Sequence, residues 1–476
     1  MKRKLCLALV TLLGLGFASL LHLALKSSTV QAASTTRYVA EHAACGVKSP
    51  CYADIQAAIE DSSTGDEILV AGGVYSGVQT QIYNGEVISQ VVFINKDLSI
   101  QGGYLTTTWS IPEPLANPTI IDAQEMGRGL FITGGISVTL EGLRLVHGRA
   151  FQQSWHYTIA GGGIYVASAI VTINNCQLTS NTGSSGAGIY NAGVLTLNNC
   201  EISGNTASAS APWTWGGGIA NSDILNIYAS AIMSNSADIA GGIGNFGKLK
   251  VISSTISYNQ APNIGRGNGG GIQNLGAAEL INSAVLNNTS LLGGGISNSD
   301  QMTITNTTIS QNWSSSASVA GVVNRSGALT ITFATIVSNT GTITGLDIGS
   351  GIHNEDIDGT IVVANSIIAY NSAENCGGVI TSSGHNLEDS NWCGLSATGD
   401  LTNTYPMLDN LAYYGGPTLV YGLLMGSPAL DKGDSNACPA TDQRGVTRPQ
   451  GPGCDIGAFE LQTFSQYLPY LLNQNQ

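Results

Sequence analysis

From Gly161 to Asn371 the apolar residues fall two apart, in short bursts broken by glycine or asparagine. A period of two is the signature of a strand, whose side chains alternate between its faces. The stretch GAGIYNAGVLTLNNCEISGNT, residues 186–206, shows the unit in full. Near-copies open at Gly161, Gly186, Gly216, Gly241, Gly269, Gly293, Gly321 and Gly351. Each carries an apolar-x-apolar triplet (Val171/Ile173, Leu195/Leu197, Leu225/Ile227, Leu249/Val251) and ends in an apolar residue with Asn three positions later, from Leu178/Asn181 and Ile202/Asn205 to Ile368/Asn371. The period is 24 to 32 residues over eight units. One such unit buries no core alone, so the units must stack. The pattern predicts an all-β, right-handed parallel β-helix solenoid with three short strands per coil and, counting less regular segments, about 11 coils.

Those segments come first. GDEILVAGGVY (65–75), DLSIQGGY (97–104) and GLFITGGISVTLEGLRLVHG (129–148) share the alternation. YADIQAAIEDSSTGD (52–66) changes period and places Ile55, Ala58 and Ile59 on one face, which predicts a short helix capping the open end of the core.

Parallel coils stack about 4.8 Å apart, so equivalent residues lie one above another. Amides in such a row form a ladder, whereas like charges repel. Asn191, Asn221, Asn245, Asn274, Asn298, Asn324 and Asn354 should form one ladder. Asn181, Asn205, Asn235, Asn259, Asn288, Asn312, Asn339 and Asn371 should form a second. Glycine at the corners supplies positive φ, and asparagine tolerates the left-handed conformation. Stacking also accounts for a charged content of only 10%. Insertions gather at one corner, and Trp155, Trp213, Trp215 and Trp313 lie in them, which suggests an aromatic ligand-binding edge.

A net charge of −14 argues against a nucleic-acid partner. Lys2, Arg3 and Lys4 precede an apolar run from Leu5 to Leu25, with small residues about Val30–Ala32, so residues 1–33 read as a signal peptide or an N-terminal anchor. No transmembrane segment is expected after cleavage. Of nine cysteines Cys6 lies in that segment. The other eight can pair in 105 ways, but Cys45/Cys51, Cys376/Cys393 and Cys438/Cys454 stand out as close pairs, and an exported chain with an even count fits disulfides. Cys176 and Cys200 share a repeat position, which is compatible with a disulfide or with stacked thiols.

Several stretches carry a resemblance. DIQAAIEDSSTGDEILVAGGVY resembles the opening segment of pectin-lyase-like right-handed β-helix proteins, and the GGGI…N units resemble the repeats of bacterial polymorphic outer-membrane proteins, with Ile, Leu or Val where those usually carry Phe. SSGHNL (382–387), YYGGPTLVYGLLMGSPALDKGD (413–434), TDQRGVTRP (441–449) and CDIGAFE (454–460) are similar to the choice-of-anchor Q domain of secreted bacterial β-helix proteins. The resemblance implies an exported, surface-associated protein and no single reaction. It divides the chain into the signal (1–33), the β-helix (34–372, regular from 161), a C-terminal closing region (373–462) and a tail (463–476).

Candidate chemistry is sparse. Residues 150–350 hold ten charged residues, scattered singly. A denser group precedes them, and Asp122, Arg144 and His147 are its weak catalytic candidates, against the plainer reading of a salt-bridged coil. In the tail Asp431, Asp434, Asp442, Arg444, Arg448, Asp455 and Glu460 admit Ca²⁺ but favour buried Arg–carboxylate pairs closing the last coil. No cofactor is expected. The sequence therefore reads as a secreted or cell-surface monomer, non-catalytic, serving adhesion or polysaccharide binding; a polysaccharide lyase or glycoside hydrolase is the alternative, and a structural surface protein the third reading.

Overall fold

The computed structural model describes residues 34–150, 160–208, 213–262, 268–315, 319–341, 349–372 and 374–462. The expected signal (1–33) and the tail (463–476) lie outside them. The chain winds as a parallel β-helix. One face carries a 24-stranded sheet to which most coils contribute two strands, such as Ile219–Asn221 and Ile224–Tyr228; the second carries a 12-stranded sheet; the third carries short two- and three-stranded pieces. Pairing is in register: Leu178, Ile202, Ile232, Ile256, Val285, Ile309, Ile336 and Ile368 follow one another from coil to coil, all fully buried. Each such side chain contributes roughly 1.5–3 kcal/mol of burial. The one α-helix among the described residues, Ile55–Asp61, starts at Asp54, whose side chain accepts from the Ala57 N–H at 2.8 Å. Its buried Ile55, Ala58 and Ile59 join the end of the core.

Both asparagine rows run inside the corners. Asn191 Nδ2 donates to Asn221 Oδ1 at 2.7 Å, and the row continues through Asn245, Asn274, Asn298 and Asn324 to Asn354. The second row runs from Asn181 to Asn371 and ends on Asn375. Within it each amide does double work. Asn205 Nδ2 donates to Asn235 Oδ1 and to the Leu178 carbonyl, while Asn205 Oδ1 accepts from the backbone and side chain of Asn181. The glycine just before the isoleucine of the GGGI and GAGI motifs gives this row its space: a Cβ on Gly188 would sit 3.1 Å from Asn205 Nδ2 and 2.6 Å from the Gly218 carbonyl oxygen.

Asparagine takes the left-handed conformation at several corners, among them Asn175, Asn199, Asn282, Asn306 and Asn365. The ladder asparagines do not themselves take the left-handed conformation. In the second row that bend falls one residue earlier, on whatever side chain stands there, such as Ser180, Tyr258 or Gln311. The ladder asparagine must keep its amide turned into the stack, so its neighbour takes the bend at about 1–2 kcal/mol.

The cysteines divide as the close spacings suggested. Cys45–Cys51, Cys376–Cys393 and Cys438–Cys454 are bonded, and Cys176 and Cys200 are free and buried. These two thiols head a column of hydroxyls. Cys176 Sγ accepts from the Leu143 N–H at 3.3 Å; the Cys200 N–H donates to Ser230 Oγ, and the series passes to Ser254 and Ser283. Burial raises both thiol pKa values, that of Cys200 to about 11, so both remain protonated at neutral pH.

Replacing Asn259 by Asp would keep the acceptor and delete the donor that meets Asn288 Oδ1 and the Ile232 carbonyl. The buried carboxylate would be destabilised unless protonated, so its folded pKa should rise. The variant should lose about 3 kcal/mol at pH 7 and much less at pH 3. Equal losses in thermal unfolding at the two pH values would exclude a ladder role.

Candidate functional site

The second sheet has an outer face that is covered at one end and open at the other. The chain first closes the stack: Cys393 and Leu395, held by the bond to Cys376, pack into the end of the core. It then folds back along the flank. Val420, Leu423, Ile456 and Phe459 cluster with the outward side chains Val337, Ile367 and Ala369. Polar contacts fix the position: Thr308 Oγ1 donates to Gln443 Oε1 at 2.6 Å, the Ala458 N–H to Thr335 Oγ1 at 3.0 Å, and the Asp434 N–H to Asn365 Oδ1 at 2.7 Å.

The Arg–carboxylate pairs belong to this flap and lie against the flank, correcting the expectation that they close the last coil. That end is closed by the Cys393–Leu395 segment because it needs apolar side chains. Arg444 pairs with Asp442 at 2.6 Å, and buried Arg448 donates to the carbonyls of Asp455 and Gly457 with Glu460 3.8 Å away. Burial pushes the Asp455 carboxyl up to about 6, although it accepts the N–H groups of Asp431 and Leu461. Among the described residues no three His, Cys, Asp or Glu side chains are placed to hold a metal ion.

Ahead of the flap the face is uncovered and forms a groove of about 770 Å³. Its floor is a row of outward side chains paired strand to strand: Arg144, Gln177, Glu201, Ala231 and Thr255. Four coil spacings give about 19 Å along the axis. A row of corner residues, Asn175, Asn199, Ala229 and Ser253, forms one side. Glu113–Ala116 and, from the flap, Tyr413 and Pro417 complete the lining. Glu201 is steadied by Ser203 Oγ at 2.6 Å, and Asn199 Nδ2 donates to Asn175 Oδ1 at 2.6 Å. From the strand Ala284–Leu286 onward the equivalent outward positions are buried: Ala284, Leu286, Thr308, Ser310, Thr335 and Val337 are each at most 1% exposed.

The residues singled out from sequence are spread over several places. Arg144 lies in the groove. Asp122 and His147 meet at 3.0 Å across adjacent coils and lie outside its lining. Trp155 lies outside the described residues. Trp213 and Trp313 are each 41% exposed and four coils apart, about 19 Å. Trp215 turns its ring to Phe246, with centroids 5.0 Å apart. Sequence reasoning missed the groove, although a signal existed: apolar residues at the outward positions of Ala284–Leu286 and Ile367–Ala369 announce a covered face and so a boundary with the uncovered one.

No family model matches the chain, and no curated protein matches it. Among solved structures, a pectate lyase, Pel9A, aligns over 90% of this chain and 98% of its own at 13% identity with a TM-score of 0.45. So distant a likeness carries no argument about chemistry. The β-helix rests on the strand pairing itself.

Replacing Ile367 by Asp would put a carboxylate under the flap at about 3 kcal/mol. Limited proteolysis should then cut within 401–462 while the repeats stay intact; unchanged resistance would mean that the flap is held elsewhere. Asp455 supplies a pH signature. Its folded pKa of about 6 exceeds the ordinary 3.8, so the folded state holds the proton more tightly. This contribution, on the order of 2–3 kcal/mol, is complete below pH 3.8 and is lost as pH rises through 6. Between pH 7.5 and 5 the unfolding midpoint of wild type should rise relative to that of Asp455→Asn; parallel profiles would remove Asp455 as the source.

Proposed function

We propose that this is an exported, non-catalytic β-helix protein that holds an extended polysaccharide along the groove of its second sheet. The observation that carries the reading is the shape and lining of that groove. It follows the solenoid axis for about 19 Å, which suits a stretch of polymer better than a compact metabolite. Its floor is built on strands, so its side chains are positioned before any ligand arrives and little ordering accompanies binding. Amides and hydroxyls alternate with apolar Met233, Leu115 and Tyr413, the mixture that a sugar with polar edges and C–H faces requires. Three disulfides fit an oxidising, extracellular setting. Surface association, adhesion and a monomeric state are part of the same proposal.

The test is a glycan array with wild type, Ala231→Trp, and Trp213→Ala/Trp313→Ala. Ala231 projects outward on the groove floor, so a large ring there blocks the groove without entering the core. Ala231→Trp should weaken binding by at least about tenfold, and the double tryptophan variant by less than about threefold. The reverse order would place the ligand on the tryptophan edge. Turnover of a bound glycan, lost in Asp122→Asn or Arg144→Gln, would favour the lyase or hydrolase reading instead.

A further inference from the structure

We infer that the polymer held in the groove is an uncharged glycan, an inference that rests on the groove being the binding site. The lining offers, among the described residues, one cation and two carboxylates: Arg144, Glu113 and Glu201. A polyuronate carries a negative charge on each sugar. Laid over this floor it would bring several carboxylates towards Glu113 and Glu201 with a single guanidinium to pair them. Like charges brought together in a partly enclosed groove oppose binding. The rest of the molecule does not compensate, since the chain carries a net charge of −14 and its field repels an approaching polyanion.

The uncharged groups supply the positive part of the argument. Gln177 stands between Arg144 and Glu201 in the floor row. Together with Thr255 and Ser253 it makes no side-chain hydrogen bond to another described residue. An amide and two hydroxyls both donate and accept, as a sugar hydroxyl does, so they match a neutral ring whichever way its hydroxyls point. Tyr413, 59% exposed, and Leu115, 83% exposed, offer apolar surface from the two segments that complete the lining. Such surface stacks on C–H faces and is indifferent to charge.

The experiment compares uncharged hexose and N-acetylhexosamine oligomers with oligouronates of equal length, at 50 and 500 mM NaCl. An uncharged oligomer should bind at least about tenfold more tightly than any oligouronate, with affinity constant within about twofold across the salt range. Gln177→Ala should weaken it by about tenfold, while Arg144→Gln changes it less than about threefold. Glu201→Lys should improve the oligouronates selectively. If an oligouronate binds best, weakens with salt and is lost in both Arg144→Gln and Ala231→Trp, the uncharged-ligand inference is overturned while the groove stands as the site. If an uncharged oligomer binds but Ala231→Trp leaves it untouched, the groove itself is wrong. Binding to neither class overturns both.

Discussion

The structure depends on one constraint: in a stack of parallel coils, whatever occupies a position must tolerate its own kind about 4.8 Å above and below. Isoleucine and leucine satisfy it inside by packing, and asparagine satisfies it at the corners by passing a hydrogen bond along the row. Charge satisfies it badly, which is why the regular coils carry so little. The GGGI motif follows from the same rule, because the ladder amide and the carbonyl of the next coil occupy the space where a Cβ would sit. The free thiols obey it too. Cys176 and Cys200 occupy a hydrogen-bonded column that serine fills elsewhere, so they stack without bonding to each other.

What the sequence made legible is what repeats. The strand period, both asparagine rows, the capping helix and the unit boundaries each recur or stand out locally, and the β-helix could be read from them. What it did not make legible is what happens once. The flap packs residues near 418–459 against coils that lie, at Thr308 and Thr335, more than a hundred positions earlier, and no periodicity links the two. Even so, the outward residues held a trace of it. Inward positions are apolar in every coil, whereas outward ones change from Gln177, Glu201 and Thr255 to Leu286, Val337 and Ile367. Alternation that lapses into continuous apolar character marks a strand buried on both faces.

The groove is thus partly a product of the flap. The open end of the second sheet is polar, and the neighbouring segments give it ends. Tyr413 and Pro417 come from the covering segment, and Glu113–Ala116 comes from a loop ahead of the strand Thr119–Asp122. Only the floor belongs to the regular repeat. Side chains that differ between coils, such as Arg144, Gln177, Glu201 and Ala231, therefore carry the chemistry on a backbone that does not vary.

The flap also changes the mechanics of the solenoid. A bare stack is a one-dimensional array in which each coil feels only its two neighbours and can peel from either end. A segment fastened at Asn306, Thr308, Thr335 and Asn365 spans three successive coils, the first and third of which do not touch one another. Those coils must open together or not at all, so this half of the molecule behaves as one cooperative block. Among the described residues the coils beneath the groove carry no such hydrogen-bonded brace. The groove of the proposed function therefore lies over coils that the flap does not tie together.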